Sequence, residues 1–159
     1  MIEQVVNLTF SLNTYILFSE LYDHFWLVDC GDIKPVTEWI NLHKKLLTGI
    51  FIKHTHFDHI YGLNQVVSLF PDCIVYTSEE GQKGLYSDIF NISHYNGESF
   101  IYKFDNIGIL LNNDRIELFP NIFMNVIATP GHDWSCLTYP CNESLFTGDS
   151  FLPDYEAIS

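Results

Sequence analysis

His54-Thr55-His56-Phe57-Asp58-His59 is the stretch on which the reading of this chain turns: three of its seven histidines and one aspartate fall within six positions. Imidazole and carboxylate side chains hold a divalent transition metal while leaving part of it open to water. The stretch follows an apolar run, Gly49-Ile50-Phe51-Ile52-Lys53, that reads as a buried strand, and it precedes residues with helical apolar spacing. A metal site on a loop at a strand's end is more often a working site than a fold staple. His54 and His56, two apart at the end of an extended run, project to one side. Asp58 and His59 open the helix and face the same space. One tetrahedral zinc does not easily take all four from so tight a loop, so the spacing suits two metals better than one.

Working outward, Val5–Phe10 and Thr14–Ser19 read as strands joined at Leu12-Asn13, and Phe25–Cys30 as a third strand ending in Asp29-Cys30-Gly31-Asp32. Pro35–Leu47 has Val36, Trp39, Ile40 and Leu47 at helical spacing, with Gly49 as the stop. The spacing predicts a helix over Asp58–Phe70, ended by Pro71, then a strand over Cys73–Thr77 and a short helix over Ser78–Leu85 capped by Ser78. Ser87–Phe100 lacks a period and reads as a long loop, of the kind that is often functional. Strands follow at Gly108–Leu111, Arg115–Leu118, Phe123–Ala128, Cys136–Tyr139 and Ser144–Phe146. The early βαβα order with a strand-rich second half predicts an α/β fold of two sheets with helices outside.

Two of those later strands end in chemistry. Thr129-Pro130-Gly131-His132 follows one, and its glycine is expected to permit a sharp turn that aims His132. Thr147-Gly148-Asp149 follows another, and its carboxylate is placed to bridge two cations.

In this order the three elements resemble the metallo-β-lactamase-fold superfamily. The resemblance takes in Asn13-Thr14-Tyr15, Leu27-Val28-Asp29-Cys30-Gly31, Lys53 to Gly62, Thr129 to His132 and Phe146 to Asp149, almost the whole chain. Within the superfamily the chain looks most like small hydrolases similar to glyoxalase II (hydroxyacylglutathione hydrolase). The resemblance implies a single domain over residues 1–159 with the four-layer αββα sandwich of that fold. It implies that His54, His56 and His132 hold a first metal, that Asp58 and His59 hold a second, and that Asp149 bridges. Asp29 would orient a ligand imidazole, and Asp58 would also serve as a catalytic proton carrier. The expected cofactor is zinc, one or two ions, with iron or manganese as alternatives. Water activated by metal would attack a thioester, ester or amide of a small molecule.

The chain departs from the pattern in ways that shape these expectations. Relatives continue past the Gly-Asp element with a helix, a strand, a further histidine and a closing helix. Here Ser159 comes ten residues after Asp149, so a C-terminally incomplete sandwich is expected, and the second metal lacks one ligand unless Asp154 or Glu156 substitutes. A single non-haem iron used for oxygen chemistry, or a non-catalytic metal-binding and interaction protein, are the competing readings. Asp133-Trp134-Ser135 replaces the small residues usual after Pro-Gly-His, which predicts an unusual pocket rim.

Composition narrows the partners. With 47% hydrophobic and 16% aromatic residues the chain is globular rather than disordered. A net charge of −13, with only seven Lys plus Arg, disfavours nucleic acid and anionic membranes as partners. No apolar run approaches a membrane span, and no basic region followed by an apolar core opens the chain, so a cytoplasmic protein is expected. A homodimer covering the exposed face of an incomplete sandwich is a modest further expectation. The four cysteines read as small buried hydrophobes. His43 is expected to pack or cap, His24 to be solvated in a turn, His94 to lie at the surface, Trp39 to be core, and Trp134 to be as apt to line a pocket as not.

Overall fold

A computed structural model describes residues 1–10 and 12–151. Its framework is a six-stranded sheet in the order β1 (Ile2–Val6), β2 (Asn13–Phe18), β3 (His24–Val28), β4 (Leu46–Phe51), β5 (Ile74–Thr77) and β6 (Ile107–Ile109). The first two pairings are antiparallel and the remaining three parallel. The parallel half needs crossovers, and these carry α1 (Ile33–His43), α2 (Phe57–Ile60), α3 (Leu63–Leu69) and α4 (Glu79–Leu85). A second layer of strands follows: a hairpin of β7 (Arg115–Phe119) and β8 (Ile122–Asn125), and a sheet ordered β11 (Ser144–Phe146), β10 (Leu137–Cys141), β9 (Ile127–Ala128).

Alternation along the central strands explains the layering. Ile16, Phe18, Phe25, Leu27, Ile50 and Ile52 pack with Val36, Trp39, Leu63 and Val67 of the helices. The intervening Leu17, Trp26, Val28 and Phe51 pack with Leu118, Met124, Leu137 and Tyr139 of the second strand layer. Side chains alternate across a strand, so β2, β3 and β4 each supply the two cores from opposite faces. The described residues thus build helix, sheet and sheet. The outer helical layer of the expected αββα sandwich is not among them, in keeping with the expected C-terminal incompleteness. Asp154 and Glu156, the proposed substitutes for a missing ligand, lie outside the described residues.

Several boundaries differ from expectation for identifiable reasons. The helix expected to reach Leu47 stops at His43, where Lys44 turns left-handed and donates its amide to Ile40. Leu46 and Leu47 instead begin β4, and Gly49 lies inside that strand beneath the Trp26 ring. The expected helix over 58–70 is two helices, α2 and α3, and the strand expected over 123–128 breaks at Val126. Ser87–Phe100 is a loop with one 3-10 turn, Ser93–Asn96. Its buried Asn91 donates to the carbonyls of Gly84 (3.1 Å) and Phe100 (2.9 Å) and accepts at its own carbonyl from Phe57 (2.9 Å), so the loop is tied to the start of α2. All four cysteines are free and buried, as expected.

Candidate metal centre

The ends of β3, β4 and β11 and the β9–β10 connection converge at one edge of the two strand layers. After β4 the chain runs through Lys53-His54-Thr55-His56 into α2. The connection from β9 is held to that run by Ser135, whose hydroxyl accepts from the Thr55 amide (3.2 Å), and by the Leu137 amide, which donates to the Lys53 carbonyl (2.7 Å). Beyond β11, Gly148 has φ +55, and a Cβ there would lie 3.2 Å from Lys53 Cβ and 3.6 Å from His54 Nδ1. A side chain there would crowd Lys53, and glycine takes this left-handed backbone without strain, so Asp149 is brought close to His54.

Five side chains meet as a result. His54, His56 and His132 form one group and His54, His59 and Asp149 another, the candidate ligand atoms of each lying within 4.8 Å of one another. His132 Nε2 is 3.1 Å from His56 Nδ1 and 3.5 Å from Asp149 Oδ2. Asp149 Oδ1 is 3.5 Å from His59 Nε2, and Oδ2 is 4.0 Å from His54 Nε2. Two ligand atoms at zinc distances and a tetrahedral angle stand about 3.4 Å apart, which is the scale of these separations.

Buried polar atoms without partners make the stronger test. Both ring nitrogens of His54 and Nε2 of His59 are buried with no hydrogen-bond partner. Such atoms are rare because each costs about 1–3 kcal/mol when left unsatisfied. Trp39 Nε1 and Thr77 Oγ1 are also buried without partners, but only these three imidazole nitrogens belong to the two groups, so the donor set fits a bound cation.

The surrounding charges tune the cluster. Burial pushes His54 down to about 2, and the neighbouring His59 adds to that effect. Burial also lowers His56, with Asp133 opposing. Burial works against charge on His59 too, yet the carboxylates of Asp29 and Asp149 raise it to about 9. The His59 imidazole holds Asp149 well below the usual carboxylate range. Behind His59, Asp29 is fully buried, which alone would raise it; Lys53 and His59 together hold it low instead. Asp29 accepts from the Lys53 amide (2.9 Å), lies 3.0 Å from Lys53 Nζ, and makes a short bond to His59 Nδ1.

The sequence profile described as the metallo-beta-lactamase superfamily matches residues 27–157. The chain belongs to that superfamily. Two hydroxyacylglutathione hydrolases are similar: that of Aliivibrio fischeri (strain MJ11) is 34% identical over 130 residues, 82% of this chain and 43% of the relative. That of Pseudoalteromonas translucida (strain TAC 125) is 32% identical over 128 residues, 80% and 41%. The chain therefore spans about two-fifths of the length of the curated relatives it matches. Among solved structures, the BLEG-1 B3 metallo-beta-lactamase superposes with a TM-score of 0.80 at 22% identity, covering 90% of this chain and 68% of that one. ETHE1 from Myxococcus xanthus gives 0.68 at 22% identity, covering 96% and 58%. These likenesses at low identity show the metallo-beta-lactamase fold.

Within that superfamily fold the structure brings together five of the six residues expected as ligands: His54, His56, His59, His132 and Asp149. Asp58, half-buried on α2, is in neither group, although its charge is felt by His56. Asp29 stands behind His59, where an orienting carboxylate was expected. Gly131 has neither a positive φ nor a neighbour within 4 Å of an added Cβ, so the conformational demand expected there falls on Gly148 instead. His24 also differs from expectation. It opens β3, stacks on Phe119 at 5.0 Å, and its Nε2 lies 3.1 Å from the Leu118 carbonyl, because the β7–β8 hairpin covers the turn expected to be solvated. His43 stacks on Trp39 at 4.2 Å, and His94 is exposed beside Asp88, both as expected. Sequence reasoning gave no role to Lys53 and expected Asp133 only at a pocket rim, not beside His56. A lysine closing an apolar run and an aspartate following His132 were the available signals.

Proposed function

We propose that this chain carries the metal-binding half of a metal-dependent hydrolase acting on a thioester, ester or amide of a small molecule. The reading rests on the convergence of four imidazoles and one carboxylate around buried, partnerless His54 and His59 nitrogens. His54, His56 and His132 would hold one ion. His59 and Asp149, with Asp58 from the same helix, would hold a second, Asp149 reaching toward both. Zinc suits the imidazole-rich donors. Metal bound there supplies an acidified water and a Lewis acid for the carbonyl.

The remaining work falls to side chains of this chain. Asp29 fixes the His59 ring through Nδ1 and leaves Nε2 facing the cluster. Asp133 Oδ2, 3.6 Å from His56 Nε2, orients the His56 ring. Asp58, half-buried and next to His59, would also be placed to carry a proton at the centre. The hydroxyacylglutathione hydrolases to which the chain is similar support thioester chemistry. Replacing His56 by alanine should abolish hydrolysis across a panel of thioesters, esters and amides and lower the bound metal. Full activity in that variant would sink the proposal.

One observation favours a second reading. His54, His59 and Asp149 are two histidines and one carboxylate, a donor set that also suits non-haem iron. Stoichiometric iron in protein purified without added metal, together with oxygen uptake, would favour an oxygenase over a hydrolase.

A further inference from the structure

The His56 ring separates the metal cluster from a cavity of about 280 Å³ whose wall includes Thr55, Glu80, Lys83, Phe90, Asp133 and Trp134. Nδ1 of that ring lies 3.1 Å from His132, and Nε2, on the ring's other side, lies 3.6 Å from Asp133 in the cavity wall. None of the five candidate ligands lines the cavity, so it is a place of its own beside the centre. Its volume falls just below the range of pockets for drug-sized molecules, about 300–1,000 Å³, and suits a smaller one.

Two aromatic rings stand open in that wall, on backbone that is pinned. Trp134 is 81% exposed and Phe90 63% exposed. Trp134 stands between Asp133 and Ser135. The Ser135 amide donates to Asp133 Oδ1 (2.8 Å), its hydroxyl accepts from the Thr55 amide (3.2 Å), and its carbonyl accepts from Ser78 Oγ (3.0 Å). Phe90 precedes Asn91, which is fully buried and donates to the carbonyls of Gly84 and Phe100. Aromatics on a fixed backbone lose little freedom on meeting a ligand. Among the described residues neither ring carries a cation over its face, as Tyr15 and Phe123 do.

The charge around the cavity is negative. Lys83 is taken up by two carboxylates, its Nζ donating to Glu80 Oε1 at 2.7 Å and lying 3.8 Å from Glu79. Asp133 adds a further carboxylate to the wall, and the whole chain carries −13. An aromatic face presents the negative part of its quadrupole, so open rings beside surplus carboxylate attract a cation clothed in methyl or methylene groups. A carboxylate entering the cavity would meet Glu80 and Asp133, and an uncharged molecule would cover the rings without drawing on the field. We infer that the Phe90–Trp134 cavity is a binding site for a small organic cation of the alkylammonium class, separate from the metal centre.

Three probes of one shape test this: choline, its uncharged carbon isostere dimethylbutanol, and the matching carboxylate dimethylbutyrate. Each is followed by its own methyl signals in an NMR titration with the whole chain. Choline should bind saturably, with a Kd about tenfold or more below that of dimethylbutanol, the combined scale of two cation–π contacts. Dimethylbutyrate should bind no better than dimethylbutanol. Trp134→Ala and Phe90→Ala should each remove most of the preference for choline. Lys83→Gln, which removes the competing ammonium and frees Glu80, should tighten choline and leave dimethylbutanol unchanged. Tyr95→Ala, exposed but outside the cavity wall, should change nothing. Equal binding of choline and dimethylbutanol overturns the inference, as does tighter binding of dimethylbutyrate than of choline. Choline binding that is untouched in both ring variants overturns it too, since the acidic surface at large would then be the attraction. Weaker choline binding in Lys83→Gln, or no saturable choline signal in the unaltered protein, has the same force.

Discussion

At the scale of single residues, the pairing of Asp29 with Lys53 sets the conditions for the centre. Asp29 has φ +58, a conformation uncommon for any residue but glycine and eased for aspartate and asparagine. Its Oδ2 serves both the Lys53 ammonium and the His59 ring. Asp29→Asn preserves shape and tolerates the backbone, but leaves Lys53 buried without a counter-charge. It should cost about 3–5 kcal/mol in urea unfolding and weaken metal binding by roughly 10–100-fold, the usual scale for a lost partner of a ligating histidine. Adding Lys53→Met removes the orphaned charge, so the double variant should regain much of the stability without regaining metal affinity. Recovery of both would show that Asp29 acts on the fold and not on His59. Lys53 was invisible as a partner in the sequence because the closing position of an apolar run gives no hint of a carboxylate 24 residues earlier.

At the scale of elements, the break between α2 and α3 places the ligand loop. The Cys30 amide donates to the His59 carbonyl at 2.9 Å, and the Gly62 amide donates to the Cys30 carbonyl at 3.0 Å. The turn after β3 is thereby bonded into the helix that carries His59. A Cβ at position 62 would lie 2.0 Å from the Gly31 carbonyl oxygen, a backbone atom that cannot swing aside. Gly62→Ala should therefore destabilise the protein by about 1–3 kcal/mol, read by denaturant titration, and lower metal occupancy with it. Unchanged stability and metal content would show that the turn and helix dock loosely. This break also marks what local pattern could not reveal. Apolar spacing carries through Ile60, Leu63, Val67 and Phe70 as one helix, and only the turn after β3 interrupts it. Elements governed by local chemistry were legible: β11 matched Ser144–Phe146, and Ser78 caps α4 by accepting from the Gly81 amide at 3.0 Å. The β4 boundary was not, since Leu46 and Leu47 join it through pairing with His24 and Phe25, far away in sequence.

At the scale of the whole molecule, the candidate ligand set was largely legible because its members follow the ends of β4, β9 and β11, His59 on the short helix α2, and strand ends collect at one edge of a sheet sandwich. A pocket rim at Asp133 and Trp134 was legible too, but its meeting with Phe90 and Glu80 was not, because these come from separate segments that only the fold brings together. The buried histidines also predict how the metal-free protein responds to pH. His54, lowered to about 2 from 6.5, costs stability as pH falls below 6.5, where the unfolded chain protonates it and the folded chain does not. His59, raised to about 9 from 6.5, contributes stability that is fully present below 6.5 and is lost as pH rises through 9. The two together place the stability maximum of metal-free protein near pH 6.5, measurable as the unfolding midpoint across a pH series. A midpoint that climbs steadily from pH 6.5 to 9 would contradict this. The proposed centre itself is tested most directly by elemental analysis of metal per chain, in the unaltered protein and in His54→Ala, each reconstituted with zinc, dialysed and confirmed folded by circular dichroism. His54 is the histidine common to both groups. The unaltered protein should retain about one or two ions per chain and the variant almost none. Folded, unaltered protein that retains no metal, or a His54→Ala variant that retains as much as the unaltered protein, would contradict a metal centre at this site.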